Sequence, residues 1–227
     1  MTLKITLPQV LSLLGGYVDT AGFLALQGLF TAHVTGNFVT LGASLVHGTS
    51  GAFAKLIALP VFCAVVVATR LLSFQLPKFG LPILRTMLAF ELLLLSLGAV
   101  FAVWLGPFRN GDAWPALLTG MTLVSAMAIQ NAAHRIHLGS APPTTLMTGT
   151  TTQVMIDLAD LMRHPLPEER AKALARLRVM SASVAAFALG CAAAAGSFSL
   201  NGMWCFVVPP VLLAASVVQF GHPEGAH

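Results

Sequence analysis

A helix needs about 20 mostly apolar residues to cross the hydrocarbon core of a bilayer. This sequence offers six such stretches, at 8–30, 53–75, 82–105, 114–137, 179–198 and 202–220. Residues 114–133, 179–198 and 202–220 carry no charge at all. A membrane barrel is the other solution, but its strands alternate polar and apolar residues. Runs such as Leu92-Leu93-Leu94-Leu95 and Ala192-Ala193-Ala194-Ala195 do not alternate. Composition agrees with a lipid solvent. Charged residues make up 9% of the chain and mean hydropathy is +0.83, whereas soluble domains carry about 25% charged residues. The reading is an all-α polytopic membrane helix bundle, a single membrane domain over 1–227.

The formal charge of +4 belongs to basic residues flanking apolar spans, the juxtamembrane pattern, and no nucleic acid is expected as a partner. Lys4 before an apolar run resembles a signal peptide, but Asp19 interrupts that run and no small-x-small cleavage site follows. It reads as the first transmembrane helix. Cys63, Cys191 and Cys205 lie in apolar spans without paired spacing. They read as small packing residues rather than disulfide or metal ligands.

One unit is used twice. Thr31-Ala32-His33-Val34-Thr35-Gly36-Asn37 and Thr144-Thr145-Leu146-Met147-Thr148-Gly149-Thr150 are offset by 113 residues. Each follows a long span and precedes two more. Repeat one covers about 8–105 and repeat two about 114–220. If neither polar segment crosses, each repeat has three crossings and the second is inverted. Lys4, Arg70, Lys78, Arg85, Arg135, Arg163, Arg170, Lys172, Arg176 and Arg178 then share one side, with Lys55 and Arg109 on the other. If both segments cross, Arg70, Lys78, Arg85 and Arg135 change sides and the asymmetry weakens. Cytoplasmic loops are enriched in Lys and Arg. The expectation is six transmembrane helices in two inverted three-helix repeats, each with a broken or re-entrant Thr-Gly segment, in a bacterial inner (plasma) membrane with both termini cytoplasmic. Residues 163–178 are expected to form a short cytoplasmic helix, its acids Glu168 and Glu169 first and its bases Arg176 and Arg178 last.

Irregular backbone in a bilayer survives when buried in protein or lining a cavity. Gly36 and Gly149 allow sharp turns. Asn37 is expected to cap a helix through 38–47, and Thr150 with Gln153 to form a capping box. Two helix starts meeting at the midplane would bind an anion or a carboxylate. The candidate solute-binding residues are Thr35, Gly36, Asn37, Thr148, Gly149 and Thr150, with Gln130 and Asn131 on the fourth span; the hydroxyls of Thr151 and Thr152 would add donors. The competing reading makes these segments kinked connectors bonded to neighbouring helices. Asp19, Glu91 and His33 are candidates for proton or ion coupling, since ionisable groups inside membranes usually face a cavity or a partner. For Glu91 the alternative is a pair with Arg85 or Arg70. His134 and His137 lack further metal ligands, and His222 and His227 belong to a polar tail. Ala182, Ala186, Gly190 and Ala194 form a small-residue face read as an internal packing seam, with a homo-oligomer the alternative.

No nucleotide loop, zinc-protease helix or nucleophile elbow is present. Neither an enzyme nor a cofactor is expected. Gly16-Tyr17-Val18-Asp19-Thr20-Ala21-Gly22-Phe23, Phe30-Thr31-Ala32-His33-Val34-Thr35-Gly36-Asn37, Gln130-Asn131-Ala132-Ala133 and Thr144-Thr145-Leu146-Met147-Thr148-Gly149-Thr150, in this order, resemble the YoaK family of bacterial integral membrane proteins. The resemblance covers nearly the whole chain. It implies about six spans and brings no substrate. The functional expectation is a secondary transporter or permease of a small polar or anionic solute. The alternative is a non-transporting membrane module: an assembly partner, a lipid-binding protein or a sensor.

Overall fold

The computed structural model describes residues 5–163 and 166–220, in which all regular structure is helical. Lys4, Pro165, His222 and His227 lie outside the described residues. The helices are α1 (Leu7–Ala25), α2 (Gly36–His47), α3 (Ala52–Gln75), α4 (Ile83–Leu105), α5 (Trp114–His137), α6 (Met147–Met162), α7 (Pro167–Asn201) and α8 (Val208–Phe220). Short 3₁₀ turns, Leu76–Phe79 and Gly202–Val207, extend α3 and precede α8. Four helical stretches are long and apolar enough to cross a membrane: Ala52–Phe79, Ile83–Leu105, Trp114–His137 and Pro167–Val218. The chain is a multi-pass membrane protein.

Local chemistry sets the helix ends. Gln9 Oε1 accepts the Thr6 N–H at 2.9 Å, closing the first turn of α1. Gln27 at φ 56° and Gly28 at φ 79° stop the first span at Ala25, short of the expected 30. Gly202, at φ 55° and ψ −130°, breaks the chain between α7 and the last span. The last span is a 3₁₀ turn followed by a 13-residue helix. Of the segment 163–178, expected as a short cytoplasmic helix of its own, the part from Pro167 is instead the beginning of the 35-residue α7. At 1.5 Å per residue α7 is about 52 Å long, well beyond a hydrocarbon core of about 30 Å. Its charged first turns therefore protrude.

The contacts define two ends. Leu7, Ile83, Leu84, His137 and Val217 line one cavity, gathering the starts of α1 and α4 with the ends of α5 and α8. At the opposite end Gln27 Nε2 donates to Phe108 O (2.9 Å), Gly111 N–H to Ser50 Oγ (3.2 Å) and Gly51 N–H to Asp112 Oδ2 (2.9 Å). Trp104 and Trp204 share an apolar groove, so α8 runs antiparallel to α4. Every described Lys and Arg except Lys55 and Arg109 lies toward the first end.

Packing follows a paired scheme. α5 lies against α3 and α4, and α1 lies against α7 and α8; α2 packs on α3, and α6 on α7. The α1–α7 contact is the closest. A Cβ added to Gly190 would sit 2.0 Å from Leu13 O, and one added to Gly16 would sit 2.2 Å from Phe187 O. Only hydrogen fits at these two positions, so the small-residue face of α7 is an internal seam. Of the cysteines, Cys205 is buried, Cys191 partly so and Cys63 exposed.

Candidate functional site

Asp19 lies six residues before the end of α1, about 9 Å inside the helix. After Gln27 and Gly28 the chain turns back along α1 and reaches it. Asp19 Oδ1 accepts the backbone N–H of Thr31 (2.8 Å), Ala32 (2.7 Å) and His33 (3.3 Å). Asp19 Oδ2 lies 2.7 Å from His33 Nδ1. A carboxylate taking several N–H bonds is strongly held. It satisfies backbone groups that would otherwise be buried without partners. Asn37 closes the same loop: its Oδ1 accepts the Phe30 N–H and its Nδ2 donates to Phe30 O, both at 2.8 Å. Gly22 lets the loop lie flat, since a Cβ there would come within 2.8 Å of Thr31 Cγ2.

A cavity of about 430 Å³ opens beside this loop. Asp19 and His33 supply its polar end, and Phe23, Phe30, Phe187 and Cys191 much of its apolar wall. The His33 ring meets Phe187 edge-on at 5.7 Å and Phe30 at 6.3 Å. Asp19 is almost fully buried, whereas the His33 side chain keeps 30% exposure. The imidazole is thus the accessible group, oriented by the carboxylate behind it.

The second loop, 138–146, turns back along α5 from the opposite end. Gln130 Nε2 donates to Thr144 Oγ1 and to Leu11 O, both at 3.0 Å. Asn131 Oδ1 accepts from Thr145 Oγ1 at 2.7 Å. Gln130 is seven residues before the end of α5, about 10 Å inside. Thr144 and Thr145 are buried and press on Gly15 of α1.

Several expectations need correction. α2 begins at Gly36, and Asn37 spends its amide on Phe30 instead of capping the helix. α6 begins at Met147, so Thr150 sits inside it with Oγ1 turned to Leu146 O, and Gln153 donates to Asp157 instead of completing a capping box. A Cβ at Gly149 would meet open space, so no close approach requires glycine there. The two Thr-Gly segments line different cavities. Gly36 belongs to the His33 cavity, whereas Thr148, Thr151 and Thr152 line a groove on the open side of α6 with Met147 and Met155. The N–H groups that hold the Asp19 carboxylate are those of Thr31, Ala32 and His33, ahead of the α2 start that was expected to meet an anion. Thr35 is exposed and does not line the His33 cavity. Glu91 is fully buried in α4, and neither of its oxygens has a hydrogen-bond partner, so Arg85 and Arg70 do not pair with it.

Other residues escaped the sequence reading. Phe187 lies in an uncharged span with nothing to distinguish it. Lys55, counted as a loop charge, is buried and donates to Ser44 Oγ at 2.7 Å. Asp112 caps α3 from a distant loop, accepting from Gly51 and Ala54. In the second half the buried Asp157 accepts from Arg176 Nε at 2.7 Å, joining α6 to α7 as Ser44–Lys55 joins α2 to α3. Ser44 and Asp157 are 113 residues apart, as are the buried Asn37 and Thr150. Among the described residues no three His, Cys, Asp or Glu side chains are placed to hold a metal ion.

A family model described as "Protein of unknown function (DUF1275)" matches residues 7–219. The chain belongs to the DUF1275 family. No curated protein and no solved structure matches it. The match includes the Asp19–His33 loop, the Gln130–Thr144 loop and all the transmembrane helices, so both loops belong to the DUF1275 unit itself.

Proposed function

We propose that this DUF1275 member is a secondary transporter or permease of a small solute, bound at the cavity beside Asp19 and His33. One observation carries the reading: an accessible imidazole, held by a buried carboxylate, faces an aromatic-walled cavity inside a membrane bundle. The walls suit an apolar body, and the His33 edge suits an acidic or hydrogen-bonding head. A small carboxylate or similar amphipathic anion fits both.

The duplicated architecture supports transport. Exchanging α1, α2, α3 and α4 for α5, α6, α7 and α8 turns each helix contact into another contact of the same bundle. The 113-residue offset recurs at the buried positions of α2 and α6, and the two loops turn inward from opposite ends. These are features of inverted repeats with broken segments around a site. Six crossings follow, with the basic end in the cytoplasm of a bacterium and both termini there. The order of the Gly-Tyr-Val-Asp, Thr-Gly-Asn and Gln-Asn motifs supports placing this member with the YoaK proteins.

The open groove of α6, lined by threonines, methionines, Ile156 and Ala159 of that one helix, favours the second reading, a module that docks another membrane helix. A thermal-shift screen of purified protein in defined lipid separates the two, using small carboxylates, amines and neutral solutes. A solute that stabilises the wild type but not His33→Ala or Phe187→Ala supports the transporter. Stabilisation by lipids alone, unchanged in both variants, contradicts it.

A further inference from the structure

Glu91 is the most enclosed acid in the described chain that has no partner. Its exposure is 0%, and both carboxyl oxygens lack a hydrogen bond. Its place in the packing follows from two contacts. A Cβ on Gly98 of α4 would lie 2.6 Å from Leu123 of α5, and Met87 clusters with Ile129 and Ala133. The helices therefore run antiparallel, and Glu91, one turn from Met87 toward Gly98, falls opposite the turn of α5 that ends at Gln130. Gln130 Oε1 is itself buried without a partner, while its Nε2 holds Leu11 and Thr144. The unpartnered Glu91 and Gln130 Oε1 thus lie at the same level of adjacent helices, with the unpartnered His134 Nε2 one turn further along α5.

A bare carboxylate there would bear a desolvation cost that no ion pair or hydrogen bond offsets. A neutral carboxylic acid carries no such charge, and its O–H is the donor that Gln130 Oε1 lacks. The surroundings supply no other charge. On α5 the titratable groups are the buried His134, one turn beyond Gln130, and Arg135 and His137 at the exposed end. The 3₁₀ turn before α8 offers Cys205, the described part of α8 offers none, and Arg85 is exposed at the start of α4 itself.

We propose that Glu91 is a proton-binding site in the α4–α5 seam, separate from the Asp19–His33 cavity, and that it exchanges its proton when the seam opens. In the exchange the Glu91 O–H bond breaks, the proton passes to water admitted to the seam, and the carboxylate remains. With its free Oε1 accepting the Glu91 O–H, Gln130 conveys the change to the 138–146 loop, because its Nε2 holds Thr144. Coupling of this proton to a solute rests on the transporter reading; the proton site itself does not.

The test is labelling of the purified full chain by dicyclohexylcarbodiimide, an apolar reagent that attacks protonated carboxyls, with the modified peptide located by mass spectrometry. Glu91 should be modified in the wild type, with labelling falling about tenfold per pH unit above a midpoint. A water-soluble carbodiimide should leave it unmodified. Gln130→Met, which removes the acceptor, should move the midpoint to lower pH. Glu91 unlabelled at every pH, or labelled equally at every pH, would overturn the site, and an unmoved midpoint in Gln130→Met would overturn its partnership with Gln130. Peptide-level detection in the wild type needs no Glu91 variant to fold. If pH-dependent labelling holds while no solute stabilises the protein, the transporter reading fails and the proton site stands.

Discussion

The two inward-turning loops solve one problem with different chemistry. In each, a polar side chain well inside a helix reaches across to a chain segment that has turned back along it. The first loop is held by a carboxylate, Asp19, which takes three backbone N–H groups and an imidazole. The second is held by two amides, Gln130 and Asn131, which meet threonine hydroxyls. An amide pair fixes position and cannot change charge. A carboxylate with a histidine can, and the cavity opens beside that pair. On the proposed reading, the solute is recognised beside the first loop, and the second loop carries no charge of its own.

The largest expected effect separates the two anchors. Asp19→Leu leaves the buried N–H groups of Thr31 and Ala32 without an acceptor, each costing about 1–3 kcal/mol, and frees the part-buried His33 N–H as well. Asn131→Leu removes two neutral bonds, to the Thr145 hydroxyl and to Met127 O, each of order 1 kcal/mol. Melting temperatures in detergent should fall further for Asp19→Leu. Equal falls would mean that the first loop is not held as described.

A smaller effect contrasts the ties of the short helices. Ser44–Lys55 joins α2 to α3 through a neutral hydroxyl, whereas Asp157–Arg176 joins α6 to α7 as an ion pair. Hydrogen bonds from Arg176 and, secondarily, Gln153 hold the Asp157 carboxyl below the usual carboxylate range. A depressed folded value gives stability that is present above the ordinary Asp value, about 3.9. That stability is lost as pH falls through the folded value. The amide protection factors of α6, but not of α2, should fall on acidification below about pH 4. Asp157→Asn should lower α6 protection at neutral pH and abolish the acid dependence of that protection. An α6 that stays protected in that variant would remove the tie from the account.

Much of the bundle was legible because lipid demands long apolar runs, and such runs are visible in any sequence. The inward loops were legible as polar breaks at a common offset. What the breaks do was not, because it depends on partners distant in sequence. Asp19 reaches its N–H groups 12 to 14 residues away, and Phe187 meets His33 across 154 positions of chain. Helix-start chemistry at Asn37 and Thr150 misled because tertiary bonds to Phe30 and burial against neighbouring helices outweighed local capping. The continuity of α7 was hidden by its change from charged to apolar residues, which marks a boundary between water and lipid rather than a helix end.

The proposed inverted repeat requires the two loops to enter from opposite faces of one membrane. Cysteines placed singly at Thr49 and Ser140, both exposed and near opposite ends of the bundle, test this in a background free of Cys63, Cys191 and Cys205. A membrane-impermeant maleimide applied to intact spheroplasts should label Thr49→Cys and spare Ser140→Cys, and inverted vesicles should give the reverse. Labelling of both positions from the same side would contradict the inverted arrangement and, with it, the transporter proposal that draws on it.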